Sequence, residues 1–80
     1  MEKKITVVYV KMPLKKLARL CGVLLSRQIP FSYNAGIELR IELVEFWERA
    51  FYERLKSFEK ECIKEGVVFE VEKFEKIIEN

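Results

Sequence analysis

No histidine and no aspartate occur among the 80 residues, although 35% of them are charged. Histidine has the unperturbed pKa nearest neutrality and is the commonest metal ligand. Its absence excludes ordinary Ser-His and Cys-His nucleophile pairs and most zinc or iron sites. Cys21 and Cys62 are the only cysteines, too far apart for a CxxC motif and too few for a zinc site without histidine. They read as two buried thiols, with a disulfide an option chiefly in a hyperthermophile. Glycine is scarce: Gly22, Gly36 and Gly66 are accounted for by helix packing, a turn and a helix stop, leaving no phosphate-cradling loop. No apolar run approaches the ~18 residues of a membrane span. Met1-Glu2-Lys3-Lys4 leads into a strand pattern without a signal-peptide core, so a cytoplasmic location is expected. Without aspartate, the glutamate pairs Glu38/Glu42 and Glu70/Glu72 make no convincing hard-cation site. Neither catalysis nor a cofactor or metal is expected.

What is present is apolar and charged. Half the chain is hydrophobic, which argues against disorder, and its length allows a single domain over residues 1–80, whose α+β class follows from its periodicity. A domain this short buries only roughly 60% of its unfolded surface, so self-association is a reasonable expectation. Ten lysines and thirteen acidic residues, all glutamate, against one glutamine and two asparagines give a composition associated with hyperthermophiles.

Periodicity orders the chain as strand, helix, strand, strand, helix, strand. Ile5 to Val10 is a β-branched run, apolar on both faces, as a central strand requires; which face points inward is ambiguous. Pro13 opens a helix running to Gln28, on which Leu14, Leu17, Ala18, Leu20, Cys21, Leu24 and Leu25 fill one broad arc. Ile29, Phe31 and Tyr33 alternate with Pro30, Ser32 and Asn34, and the proline places this strand at a sheet edge. Asn34-Ala35-Gly36 is a turn signal. Ile37, Leu39, Ile41 and Leu43 alternate with Glu38, Arg40 and Glu42, the pattern of a half-buried strand.

A single helix from Gly36 to Gly66 is the rival reading, because no glycine or proline interrupts that stretch. Extending the stripe of Trp47, Phe51, Leu55, Phe58 and Cys62 backward puts Arg40 in its middle and throws Leu39 and Leu43 off it, which favours the strand. The second helix then spans about Glu45 to Glu65, and Gly66 stops it. Val67, Phe69 and Val71 make the last strand, and Phe74, Ile77 and Ile78 suggest a further helical turn or two.

This βαββαβ order with a tight middle hairpin gives a ferredoxin-like fold, an antiparallel four-stranded sheet with two helices on one face. Its open face is expected to carry Glu38, Arg40, Glu42, Glu70 and Glu72, acidic on balance. No segment matches the aromatic pattern with which RNA-recognition domains of this topology stack bases. Acylphosphatases share the topology and use an arginine and an asparagine, but Arg19, Arg27 and Asn34 have no phosphate loop around them.

Charge is unevenly divided. Residues 1 to 37 hold seven Lys or Arg against one Glu, net +6, and residues 38 to 80 hold eight against twelve, net −4. Lys11, Lys15, Lys16, Arg19 and Arg27, extended by Lys3 and Lys4, would make a cationic strip along the first helix, suited to nucleic-acid phosphates or an acidic protein. The bland alternative is a solvated face compensated by nearby glutamates. A membrane partner is disfavoured, because the core needs the apolar face of that helix. Phe46, Tyr52 and Ile63 fall outside the stripe of the second helix, and Phe74, Ile77 and Ile78 also need cover. This apolar surplus points to a homo-oligomer interface. The expected function is a non-catalytic binding and assembly module, with nucleic-acid binding through the first helix as the alternative.

Overall fold

The computed structural model describes the backbone of residues 2–79 and the side chains of residues 4–34 and 36–77. In chain order the elements are β1 (Glu2–Lys11), α1 (Leu14–Ser26), β2 (Phe31–Ala35), β3 (Glu38–Val44), α2 (Glu45–Glu65) and β4 (Glu70–Glu79). The strands form one antiparallel sheet in the order β2-β3-β1-β4. With both helices contributing to one core against the sheet, this is the ferredoxin-like α+β fold.

Register resolves the ambiguity of β1. Thr6, Val8 and Val10 lie opposite Leu43, Ile41 and Leu39, and all six side chains are buried on the helix side. Ile5, Val7, Tyr9 and Lys11 therefore face the other way, beside Glu42, Arg40 and Glu38. Residues 38–44 are strand, and the alternation Leu39, Ile41, Leu43 that argues against a long helix is the alternation that is buried.

Both helix ends are stopped by a left-handed residue. Gly66 takes φ 68°, and the N–H groups of Gly66 and Val67 donate to the carbonyls of Ile63 and Cys62. At the end of α1 that conformation falls to Gln28, φ 57°, after which Ile29 N–H donates to the Leu24 carbonyl at 2.9 Å. A side chain at Gln28 is strained where glycine would not be.

Two expectations are corrected. The broad apolar arc of α1 is not what the core takes: Leu17, Leu20 and Leu24 are fully buried, but Leu14 is 58% and Leu25 67% exposed, while Lys16 is buried. At 100° per residue the buried set is centred about 70° away from the middle of that arc. The helix is rolled so that Lys16 reaches the carboxylates of α2. The tail is the second correction. Residues 70–79 form one continuous strand paired along all of β1, from Lys11 opposite Glu70 to Glu2 opposite Glu79, and residues 67–69 precede it without strand pairing. The near-helical spacing of Phe74 and Ile77 is overridden by the hydrogen bonds that the free edge of β1 offers.

The roll of α1 predicts that Leu20→Ala costs about 2–5 kcal/mol in urea unfolding, whereas Leu25→Ala stays within about 0.5 kcal/mol of the wild type. Equal costs would place both in the core. Gln28→Gly is expected to raise stability by up to ~1 kcal/mol in the same assay, since it removes a side chain from the left-handed region.

Candidate functional site

The charged residues of α1 do not form one free strip. Lys16, with its side chain only 9% exposed, donates to Glu65 Oε2 at 2.8 Å and to Glu61 Oε1 at 3.5 Å. Arg19 grips the same Glu61 with both terminal nitrogens, at 2.8 and 3.3 Å, and lies over the Phe58 ring. These four side chains make a seam that clamps α1 to the last turns of α2. Lys11 sits apart at the end of β1, 3.9 Å from Glu38. Arg27 lies over the Trp47 ring, 5.6 Å from its centroid. Lys15 is exposed and has no ion pair among the described residues. Lys4 pairs with Glu75 on β4 at 3.1 Å, and the Lys3 side chain lies outside those described.

The seam shifts the titration of its members. The hydrogen bond from Arg19 holds the Glu61 carboxyl below the ordinary glutamate range, against partial desolvation. The hydrogen bond to Glu65 raises the Lys16 ammonium above the ordinary lysine value, again against desolvation. The Glu61 contribution to stability is therefore present above the unfolded-chain value and lost as pH falls through the lowered one. That of Lys16 is present below the ordinary lysine value and lost as pH rises through the raised one. The clamp holds across neutral pH and releases at both extremes.

The apolar residues outside the core stripe do not gather into one patch. Phe46, 80% exposed, stands at the start of α2, edge-on to Trp47 with ring centroids 4.9 Å apart. Ile63, also exposed, is in the last turns of the same helix, about 25 Å away at 1.5 Å per residue. Tyr52 is half-buried, with the Lys73 ammonium 4.7 Å from its ring centroid, at the mouth of a shallow groove between α2 and β4 lined also by Leu55, Phe69 and Val71. Phe74 and Ile77 are exposed on opposite faces of β4, and the side chain of Ile78 lies outside those described.

The open sheet face carries the five expected residues Glu38, Arg40, Glu42, Glu70 and Glu72, but it is not simply acidic. Lys11 and Lys76 also lie on it, and an edge-to-face pair of Tyr9 and Phe74, centroids 5.9 Å apart, occupies its middle over Val7. Sequence reasoning misses this pair because the parity of β1 is ambiguous and the spacing of residue 74 points to a helical turn. Arg40 donates to Glu42 Oε1 at 2.7 Å on the same face. Among the described residues, no three potential ligands converge as a metal would require. An enclosed cavity lined by Val23, Arg27, Ile29, Trp47, Phe51 and Arg54 measures about 60 Å³, well below an ordinary small-molecule pocket. No helix among the described residues is long and apolar enough to cross a membrane. Cys21 and Cys62 are free thiols, and burial pushes the pKa of both upward.

Glu61→Gln is expected to lower the thermal midpoint at neutral pH and to flatten its decline on acidification, with Lys15→Gln on the same helix leaving both unchanged. A Glu61→Gln profile parallel to the wild type would show that the seam does not contribute to stability.

Comparison with protein-family models, curated proteins and solved structures gave no match.

Proposed function

We propose that the chain is a small binding and assembly module without chemistry of its own, which works as a homo-oligomer. The observation that carries this reading is the exposed apolar surface: Leu25, Phe46, Ile63, Phe74 and Ile77 are each more than half exposed, in a chain of 80 residues. Residues of this kind are ordinary when scattered singly, but so many on so small a domain exceed what one core of this size hides. The absence of histidine and aspartate supports a non-catalytic role, since general acid-base work near neutrality would fall to glutamate, cysteine, lysine or tyrosine alone.

Nucleic-acid binding through α1 is the weaker reading. Lys16 and Arg19 already have carboxylate partners, so a phosphate would have to compete with Glu61 and Glu65 for them. Lys15 and Arg27 alone would contribute about two units of salt dependence to such a contact. An acidic protein partner faces the same competition.

Light scattering at low and high salt is expected to give a mass of at least twice 9.6 kDa, without copurifying nucleic acid. A monomer that releases nucleic acid at high salt would reverse the order of the two readings.

A further inference from the structure

The two edges of the sheet are unlike. β2 is five residues long, is preceded by Pro30 and has a register irregularity between Tyr33 and Ala35. β4 is ten residues long, contains no proline or glycine, and pairs with β1 without a register shift. Its outer side is a row of backbone donors and acceptors with no partner strand among the described residues. Proteins ordinarily blunt such an edge by shortness, proline, bulges or charge, and of these β4 has charge alone.

The order of those charges specifies what the edge accepts. In antiparallel pairing about a two-fold axis through Phe74, Lys73 of one copy lies opposite Glu75 of the other, Glu72 opposite Lys76, Val71 opposite Ile77, and Phe74 opposite itself. Each pair except the central one occurs twice by symmetry. Both faces are served. On the helix side fall Val71, Lys73, Glu75 and Ile77, and on the open side Glu72, Phe74 and Lys76.

No neighbouring symmetric register does this. An axis at Glu72, Lys73, Glu75 or Lys76 sets a like charge against itself; one at Val71 opposes Glu70 to Glu72, and one at Ile77 opposes Glu75 to Glu79. In the Phe74 register the aromatic pair of each copy meets the other across the axis, giving a row Tyr9, Phe74, Phe74, Tyr9 along the open face. Phe74 is 54% and Ile77 63% exposed, and neither Glu72 nor Lys76 has an ion pair among the described residues, whereas Glu75 is held by Lys4 and Lys73 lies over the Tyr52 ring, so the Glu72–Lys76 pairs are the ones free to form. We infer that β4 is the docking edge for a second copy of this chain, joined antiparallel in the register centred on Phe74 to make a continuous eight-stranded sheet.

This inference rests on the self-association proposed above and names its surface. Charge exchange across the axis tests it. Glu72→Lys sets a second ammonium against Lys76 of the other copy at two symmetry-related places and is expected to raise the dimer Kd about tenfold or more by sedimentation equilibrium. The double variant Glu72→Lys/Lys76→Glu restores opposite charges at both places and should return Kd to near the wild-type value. Phe46→Ser, away from β4, should leave it unchanged. Rescue by the double variant supports the register. A wild-type dimer that tolerates Glu72→Lys, is not rescued by the double variant, or is broken by Phe46→Ser overturns the β4 edge while leaving self-association standing. A wild-type monomer at all concentrations removes both.

Discussion

β1 is the constraint on which the rest depends, because it has a partner strand on each side from Ile5 to Lys11. Its pairing with β4 joins residues 2–11 to residues 70–79, and its pairing with β3 joins residues 5–11 to residues 38–44. The run Ile5-Thr6-Val7-Val8-Tyr9-Val10 is apolar on both faces but for Thr6, whose buried hydroxyl is hydrogen-bonded to Glu48 on α2. Val8 and Val10 are fully buried under the helices, and Val7 is nearly so on the face that carries no helix, beneath Tyr9 and Phe74. The open face therefore has a small apolar centre of its own, and the charged residues of β3 and β4 form its surround. Because β1 is longer than β3, its first rungs pair with β4 alone, and the sheet narrows there to a two-stranded ribbon.

Part of the opposite charge of the two halves of the chain holds the helices together, through Lys16 and Arg19 on α1 and Glu61 and Glu65 on α2. Buried lysine is costly unless its ammonium is hydrogen-bonded and neutralised, and Lys16 meets both conditions through Glu61 and Glu65. Arg19 secures Glu61 from the other side and covers Phe58 with its flat guanidinium. The roll of α1 that makes this seam exposes Leu14 and Leu25. Packing of the leucine arc and closure of the charged seam compete for the orientation of one helix, and the seam has displaced the outer leucines.

Local signals are readable where local physics decides. The alternation from Ile37 to Leu43 separates strand from helix, Gly66 marks the end of α2, and the order of elements along the chain is the one periodicity gives. What is not legible is set by partners distant along the chain. Phe74 and Ile77 have near-helical spacing, and only the free edge of β1, some seventy residues earlier, makes them strand. Lys16 looks solvent-facing until Glu61 and Glu65, more than forty residues away, come to rest beside it. The open-face aromatic pair combines both difficulties: Tyr9 lies in a strand whose parity the sequence leaves undecided, and Phe74 in a segment whose spacing mimics a helix.

The five-residue β2, with its broken register beside Ala35, bears on more than the hairpin it closes. A sheet with two receptive edges polymerises, since each added copy exposes the same edge again, and the outcome is a fibre. Here the far edge offers too short and too irregular a row of amides to propagate pairing. If two β4 strands pair as inferred above, both ends of the joined sheet are β2, and growth would stop at two copies. In the pairing inferred above, the irregular hairpin would thus set the stoichiometry from the side of the molecule opposite the interface.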